Sequence, residues 1–546
     1  MDAEKILKRY ENLKSRRGVW EKVWRAVAKY CMPELAPINM PKSITAGGSR
    51  DIPLDTTGCD CVNLLASFIY SNTVFNGDQW FDLSAKNGKY DKNENERAKS
   101  ELLQDIVNVI LGLITSSNFD HVYRQFLTNY VPFGTGIFHW EFNTDNELIC
   151  RQWSITDNIV IEENSKGEID TVFRYFEYTA RQAVQEFGEE NLPKCVMDAY
   201  NDVNEKDRHF NFLNIIMPRE DGERDKSKTT PKNKPIADIC IEMSSKKIVR
   251  DSGRDRFPYC CARFYNMGEV YGRSCGMKAI PALRAISMAT WAYLKNVEFN
   301  AKPMIFAPPS MYDRMRIEAD TVNAWDSSLG DVKIWSPSGD MNSPLEFAER
   351  KKDEVRKIFY VDRIQYLDEK RMTATEAQLR YDEMIQSFSP VLAGLQSEFF
   401  TPFIEGLVEE VVARGMVNIP DTLKSENGSL NFTVEYKSRL NSKLKGAFNS
   451  SIMSFLNLIA SYGQVKTTSP VASIYLNDDS IIKEFAKNCN VSKVALNTDE
   501  EIEMAIQMQN EQQQAMQMQQ MMKPVDPTGA IDPTSIVGQA MEQQQQ

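Results

Sequence analysis

The chain has 546 residues, of which 42% are hydrophobic and 26% charged, so it carries enough apolar material for several packed domains. Its 64 basic and 76 acidic residues give a net charge of −12, which excludes a protein that wraps nucleic acid by general phosphate neutralisation. Its longest apolar candidate, 62–74, is shorter than the roughly 18 residues of a transmembrane helix and is interrupted by polar side chains, so we expect no membrane insertion.

Helical periodicity dominates the first 131 residues. Apolar residues recur every three to four positions, which predicts amphipathic helices. A Pro- and Gly-rich loop at 33–53 separates the first helix from the second, which starts with Asp55 or Thr56 as N-cap. The predicted elements are helices at 2–31, from 55 onward, at 94–116 and at 120–131, with a short strand at 80–83.

The pattern changes to alternation from Phe133 onward, which indicates strands broken by Asn, Asp and Gly turns. One helix, at 180–187, and a charged loop at 219–235 interrupt these strands. The predicted strands lie at 137–142, 149–153, 159–163, 171–178, 236–243 and 246–250.

The second half of the chain is again mainly helical. Two short apolar runs, 304–307 and 332–335, separate an apolar helix from a highly charged one. Pro390 and Pro402 should kink the long helix at 373–414 rather than end it. The predicted helices are 277–300, 345–360, 373–414, 443–461 and 479–487, with a strand near 430–437 and a Gln- and Met-rich low-complexity end.

Cysteine and histidine usage gives no metal site. Cys59-x-Cys61 and Cys260-Cys261 are too tightly spaced for the CxxC pairs of zinc sites. The thiols are expected to be reduced and buried, and we expect no metal and no cofactor. The three histidines form neither an HExxH nor an HxH pattern: His121, His139 and His209.

Motifs of catalysis are also missing, so the sequence predicts no catalytic residues and neither ATPase nor nuclease activity. There is no GxxxxGK[ST] loop, no GxSxG elbow and no GxGxxG after a strand. The segment 133–136 contains only a GxG, which we interpret as a turn into a strand. Asp251-Ser252-Gly253 lies in a polar turn with no evident partner, and Asp55 and Asp60 suit a helix N-terminus electrostatically.

Several segments together resemble the portal, or head-to-tail connector, family of short-tailed, T7-like bacteriophages. Cys275 stands where that family usually has proline, and residues 180–255 and those beyond 420 show no likeness. The segments are Trp20…Trp24…Tyr30-Cys31-Met32-Pro33, Asp55-Thr56-Thr57-Gly58, Leu64-Leu65-Ala66-Ser67, Trp80-Phe81-Asp82-Leu83, Tyr271-Gly272-Arg273-Ser274-Cys275-Gly276-Met277, Met372-Thr373-Ala374-Thr375-Glu376, and Pro390-Val391 with Leu395-Gln396 and Glu398.

The resemblance implies an α+β, mainly helical portal fold, assembled as a ring of twelve copies. The implied divisions are a wing (1–270), a first stem helix (271–300), a clip that exchanges strands with neighbouring subunits (301–344), a second stem helix (345–360), a channel loop (361–372), a kinked wing helix with a β segment (373–442), a helical crown (443–500) and the low-complexity tail (501–546).

The implied function is a conduit for double-stranded DNA at one capsid vertex, during packaging and ejection. Implied partners are other copies of the chain, the major capsid protein, the scaffolding protein, the terminase large subunit, a tail adaptor, internal core or ejection proteins, and the DNA itself. The protein would be found in the virion, and in the host cytoplasm during assembly. Another virion structural or scaffold protein is the alternative, and a DNA-processing enzyme is a weaker one.

Two sets of candidate functional residues follow. The clip runs carry Ile305, Phe306, Ile334 and Trp335, apolar residues that a monomer could hardly bury. In the channel loop, bases could touch phosphates while acids keep the summed charge near zero, which would let a duplex slide. These residues are Arg363, Lys370 and Arg371 with Asp362, Asp368 and Glu369. The alternative is a surface linker whose charges merely keep it soluble.

Overall fold

The computed structural model describes most of the first 417 residues and little beyond them. The chain divides into two compact units, Met1–Ser438 and Arg439–Gln546. In the second unit only 457 and 461 are described, both helical, so the predicted crown helices and the low-complexity tail lie outside the described residues. The described residues are 2–35, 53–74, 79–85, 94–220, 222, 230–302, 304–306, 328, 333–335, 342–365, 387–417, 432–436, 457 and 461.

Some helices of the first unit begin at a side chain that accepts a hydrogen bond from a free backbone N–H. Asp2 caps the first helix by accepting a hydrogen bond from the N–H of Glu4 at 3.2 Å, and Thr179 with Gln182 forms a capping box on the fifth. The described helices are α1 (Ala3–Cys31), α2 (Thr57–Thr73), α3 (Glu94–Ser116), α4 (Phe119–Phe133), α5 (Ala180–Phe187), α6 (Lys194–Asn201), α7 (Cys275–Ala301), α8 (Ser343–Ile358), α9 (Val361–Gln365), α10 (387–395) and α11 (Thr401–Ala413).

All described strand pairs are antiparallel. They form a five-stranded sheet in the order β4-β5-β6-β7-β8, a three-stranded sheet β3-β2-β9, and two ribbons, β1-β12 and β10-β11. The strands are β1 (Phe81–Ala85), β2 (Thr135–Phe142), β3 (Leu148–Trp153), β4 (Ile159–Glu163), β5 (Ile169–Thr179), β6 (His209–Pro218), β7 (Ile236–Glu242), β8 (Lys247–Arg254), β9 (Tyr259–Arg263), β10 (Met304–Phe306), β11 (Lys333–Trp335) and β12 (Phe432–Tyr436).

The core has three clusters. The largest joins α2, α3, α4 and α11 to the three-stranded sheet, with stacked rings at its centre. The start of α1 covers one face of the five-stranded sheet, while α5 and α6 cover the other. The sheet is therefore buried on both faces.

The element pattern predicted from sequence is largely confirmed, and the differences have physical causes. The sequence reading missed α6, β6 and β9. All five residues of β9 are buried, so this strand shows no apolar–polar alternation. Strand β6 is central in a sheet covered on both faces, so its residues do not alternate between apolar and polar. Helix α6 has eight residues and buries only Val196 and Ala199, too few to reveal a period.

The two prolines of the long helix do not end it. Residues 387–413 are helical throughout, with a π-helical turn at Gln396–Phe400 directly before Pro402, whereas 373–386 lie outside the described residues. Proline cannot donate the backbone hydrogen bond of a regular helix, and its ring clashes with the carbonyl of the preceding turn. The wider π-helical turn accommodates the proline without ending the helix.

Residues 361–372 were predicted to form the channel loop, and this prediction is wrong at the start of the segment. Residues 361–365 form the helical turn α9, and 366–372 lie outside the described residues. A positive φ of 59° at Tyr360 ends α8, and the burial of Val361 in the largest core cluster restarts the helix.

Candidate assembly and channel surfaces

The antiparallel pair α7 and α8, with β10-β11 between them in sequence, forms a hairpin. Its base is held by the segment Tyr271–Met277. Ser274, fully buried, accepts a hydrogen bond from the N–H of Met277 at 3.0 Å and donates one to the carbonyl of Pro132 at 2.6 Å. The ring of Tyr271 lies edge-on to the buried Trp24 at 5.1 Å. These contacts lock the start of α7 to α1 and α4.

Gly272 of this base and Gly134, which lies opposite it, are required by close backbone approach. A Cβ on Gly272 would lie 2.2 Å from the carbonyl oxygen of Gly134 and 3.0 Å from Cα of Arg263. Gly134 itself has φ +77° and leads from α4 into β2, as expected for a turn into a strand. Gly272 has no positive φ, so packing rather than backbone conformation restricts it.

Replacing Gly272 with alanine is expected to lower the free energy of unfolding by about 1–3 kcal/mol, because the rigid backbone opposite must move. Gly112→Ala is the matched control, since a Cβ on this α3 residue meets nothing within 4 Å. That control should stabilise the protein by about 0.5–1 kcal/mol through helix propensity. Thermal unfolding measures both, and equal effects of the two changes would contradict the packing argument.

The rest of the hairpin combines a buried inner face with an apolar outer face. Ile286 and Ala289 of α7 and Ala348 and Val355 of α8 are buried. Eight large apolar side chains further out are exposed, and together they define the outer patch: Met288, Trp291, Leu294 and Val297 of α7, Met304 and Phe306 of β10, and Leu345 and Phe347 of α8. Such a concentration marks a contact surface.

The sequence reading missed part of this outer patch. It predicted an apolar helix at 277–300 but did not single out Met288 and Trp291. The available signal was that α7 carries more large apolar residues than one inward-facing stripe can hold.

The candidate clip residues lie on the ribbon β10-β11. Ile305 is paired with Ile334, and Met304 with Trp335, within one chain. Phe306 is 59% exposed, and Ile305 is partly exposed. The side chains of Ile334 and Trp335 are outside the described residues. Strand exchange with neighbouring subunits stays a prediction.

The charges of α8 are mostly paired along the helix. Lys351 with Glu354, Lys352 with Glu349, and Arg356 with Asp353 form ion pairs three residues apart. Such exposed pairs add little stability, but they leave a surface with no strong net charge.

One pair ties α8 to the start of α2. The Lys352 ammonium lies 3.1 Å from the Asp55 carboxylate, which also accepts a hydrogen bond from the N–H of Thr57. Burial would raise the pKa of Asp55, but the hydrogen bonds from Thr57 and Lys352 outweigh it and hold the pKa below its ordinary value.

Two of the six candidate channel residues are described. Both lie on α9, where Arg363 is exposed beside the ring of Tyr360 and Asp362 is half-buried. The other four, Asp368, Glu369, Lys370 and Arg371, lie outside the described residues. The channel role of the six therefore stays a prediction.

The titratable groups give no sign of activated chemistry in the described parts of the chain. No group of three or more His, Cys, Asp or Glu residues there could hold a metal ion. Burial and nearby arginines lower the pKa of His139 to about 3, and burial raises the pKa of Cys150 to about 12. Asp251, next to Ser252, is paired with Arg219 at 3.0 Å.

Among the described residues, no single helix is long and apolar enough to cross a membrane, and one bent pair, Leu102–Ser116 with Phe119–Phe133, meets the length and composition requirement.

Comparison with known proteins identifies relatives over almost the whole chain. Residues 3–496 match the family model described as bacteriophage head to tail connecting protein. The "Probable portal protein" of Bordetella phage BPP-1 is 22% identical over 479 residues, covering 84% of this chain and 83% of its own. The "Portal protein" of Salmonella phage epsilon15 is 23% identical over 539 residues, covering 94% and 92%.

One solved structure is also similar in part. A chain from the neck of an empty GTA particle, computed with C6 symmetry, aligns over 63% of this chain and 78% of its own length, with 13% identity and a TM-score of 0.32.

Proposed function

The chain belongs to the bacteriophage head to tail connecting protein family, and from that premise we propose that it is a phage portal protein. Copies of the chain form a ring, with twelve as the expected number, at one vertex of the capsid. The ring is a passive conduit for double-stranded DNA during packaging and ejection.

The observation that carries this proposal is the outer patch of the α7–α8 hairpin. Its eight exposed apolar side chains need a partner surface, and in a homo-oligomer that partner is another copy. A head-to-tail interface that closes into a ring buries the same patch in every subunit. The wing, built from the sheets and α1–α6, adds contacts around the hairpin.

A conduit needs a lining that holds DNA weakly. Helix α8 suits this role, because it carries five basic and four acidic side chains and pairs most of them internally. Each phosphate that a lining neutralises firmly adds salt-dependent affinity and would slow a sliding duplex. We therefore place α8 along the channel and the clip at its outer end.

The remaining partners follow from this position. The clip, including Ile305, Phe306, Ile334 and Trp335, is the docking site for the terminase large subunit and afterwards for a tail adaptor. The wing contacts the major capsid protein and, during assembly in the host cytoplasm, the scaffolding protein. Internal core or ejection proteins meet the crown, and the protein stays in the virion. The motor, not this chain, hydrolyses ATP.

Negative-stain microscopy of the purified full chain tests the proposal. We expect rings with a central hole, and class averages that give the copy number. A variant lacking 305–335 should remain folded by circular dichroism and fail to form rings in sedimentation. Monodisperse monomers from the full chain under all salt conditions would overturn the portal assignment, and full rings from the deletion variant would overturn the clip assignment.

The channel segment is tested separately. Replacing Arg363, Lys370 and Arg371 with alanine should leave ring assembly intact but alter DNA packaging or retention, because three bases near the axis are lost. The measurement is the fraction of full heads in a packaging reaction with variant rings. The matched control is Arg208→Ala, an exposed arginine paired with Glu205 on the wing. A normal fraction of full heads with the triple variant would show that these residues belong to a surface linker.

A further inference from the structure

A cavity of about 310 Å³ lies between the three-stranded sheet and the five-stranded sheet, away from the hairpin. Strands from both sheets and helix α5 contribute to its walls. Four arginines line it: Arg151 of β3, Arg174 of β5, and Arg250 and Arg254 of β8. A cavity of this volume admits a small ligand.

The ionisable groups around the cavity carry a surplus of positive charge. Against the four arginines stand three carboxylates, those of Glu141, Glu186 and Asp238. His139, also in the wall, is neutral because burial lowers its pKa to about 3. A positive site in a chain of net charge −12 indicates a local requirement for a negative ligand.

Three of the four arginines are matched by these carboxylates. Arg151 donates to Glu141 at 2.9 Å, and Arg254 donates to Asp238 at 3.0 Å and to Glu141 at 3.3 Å. Arg250 donates to Asp238 at 3.1 Å and to Glu186 at 3.2 Å. All three carboxylates are therefore hydrogen-bonded, and several guanidinium N–H groups are not used in these bonds.

Arg174 is the exception among the four. Its partly exposed guanidinium lies over the rings of Trp153, at 3.5 Å, and Phe176, at 4.7 Å, and makes no side-chain hydrogen bond or ion pair to another described residue. An arginine stays charged in a protein, so its unused N–H groups call for an acceptor. Nε of Arg250 and Nδ1 of His139 also lack a partner there.

We propose that this cavity binds a phosphate-class oxyanion, with the guanidinium of Arg174 as its principal donor. An oxyanion offers several acceptor oxygens and no donor, which matches a wall rich in unused N–H groups and in planar guanidinium. The ion is held as free phosphate or as the phosphate of a small organic ligand, whose base or ring would contact the aromatic part of the wall. No step of DNA conduction is needed for this site.

Calorimetric titration and thermal unfolding of the full chain test the site, with sodium phosphate compared with sodium chloride at equal ionic strength. Phosphate should raise the unfolding temperature of the natural protein. Arg174→Met keeps the packing between the two rings and removes the charge, so its phosphate affinity should fall at least roughly tenfold. In chloride the variant should unfold at nearly the same temperature, because Arg174 is partly exposed and makes no hydrogen bond to another described residue that the change would remove.

Two controls separate binding from general charge effects. Arg174→Lys keeps the charge and should retain part of the affinity. Arg208→Met removes an exposed arginine that likewise lies over a ring, that of Phe210, and should leave phosphate binding unchanged. Tighter binding of deoxyadenosine monophosphate than of phosphate assigns the site to an organic phosphate, and equal binding assigns it to the free ion. Equal phosphate stabilisation of the natural protein and Arg174→Met, or no stabilisation of the natural protein by either probe, would overturn the proposal.

Discussion

Replacing Trp291 and Leu294 together with glutamine is expected to abolish ring formation while leaving the subunit folded. These side chains are 57% and 48% exposed in the single chain, so the folded subunit loses little by the change. In the proposed ring they would be buried at every interface. The pair then contributes about 2–4 kcal/mol to each contact, and its loss weakens that contact roughly 30- to 1,000-fold.

Analytical ultracentrifugation measures the loss of rings, and circular dichroism measures the fold. Val203→Gln is the control for solubility, because Val203 is 82% exposed but lies after α6 and away from the hairpin. The control should assemble normally. Intact rings from the double variant would show that the outer patch does not contribute to assembly, whereas a variant without a cooperative unfolding transition would show that the patch is needed for the fold itself.

Replacing Arg263 with methionine is expected to lower the free energy of unfolding by about 3–5 kcal/mol. Arg263 is 4% exposed and connects β9 to the π-helical turn through two hydrogen bonds to Glu398, at 3.1 and 2.8 Å. It also contacts Glu163 at 3.0 Å and the carbonyl of Gly167 at 2.7 Å. Without it, two partly buried carboxylates and a carbonyl lose their main donor.

Urea denaturation at matched protein concentration measures this effect. The control is Arg273→Met, since the Arg273 pair with Glu269 has the same chemistry on an exposed surface and should change stability by less than about 1 kcal/mol. Adding Glu398→Gln to Arg263→Met should restore part of the loss, because a buried charge is then absent. If Arg263→Met and Arg273→Met proved equally mild, the buried network would not be holding the kinked helix to the sheet.

Local sequence patterns determined the order of elements and the family. The three-to-four periodicity of α1, α3 and α7 is a property of neighbouring residues, so it is readable without the fold. The segment Tyr271–Met277 could be recognised as a family motif because its residues are consecutive and act together at the base of one helix. The charged helix α8 was likewise predictable from composition, whereas the pairing of α7 and α8 as two stem helices was implied only by the family resemblance.

Only the tertiary structure decided how distant residues meet. Arg263 and Glu398 are 135 positions apart, and Gly272 reaches Thr135 across 137 positions with a 2.9 Å hydrogen bond. The unpaired state of Arg174 likewise depends on two sheets whose strands come from separate parts of the chain. Sequence periodicity reports which face of an element is buried, but the partner on that face is selected by packing. The core glycine contacts, the Arg263 network and the arginine-lined cavity are therefore properties of the fold. The helices that carry most of the outer patch could be predicted from the local sequence.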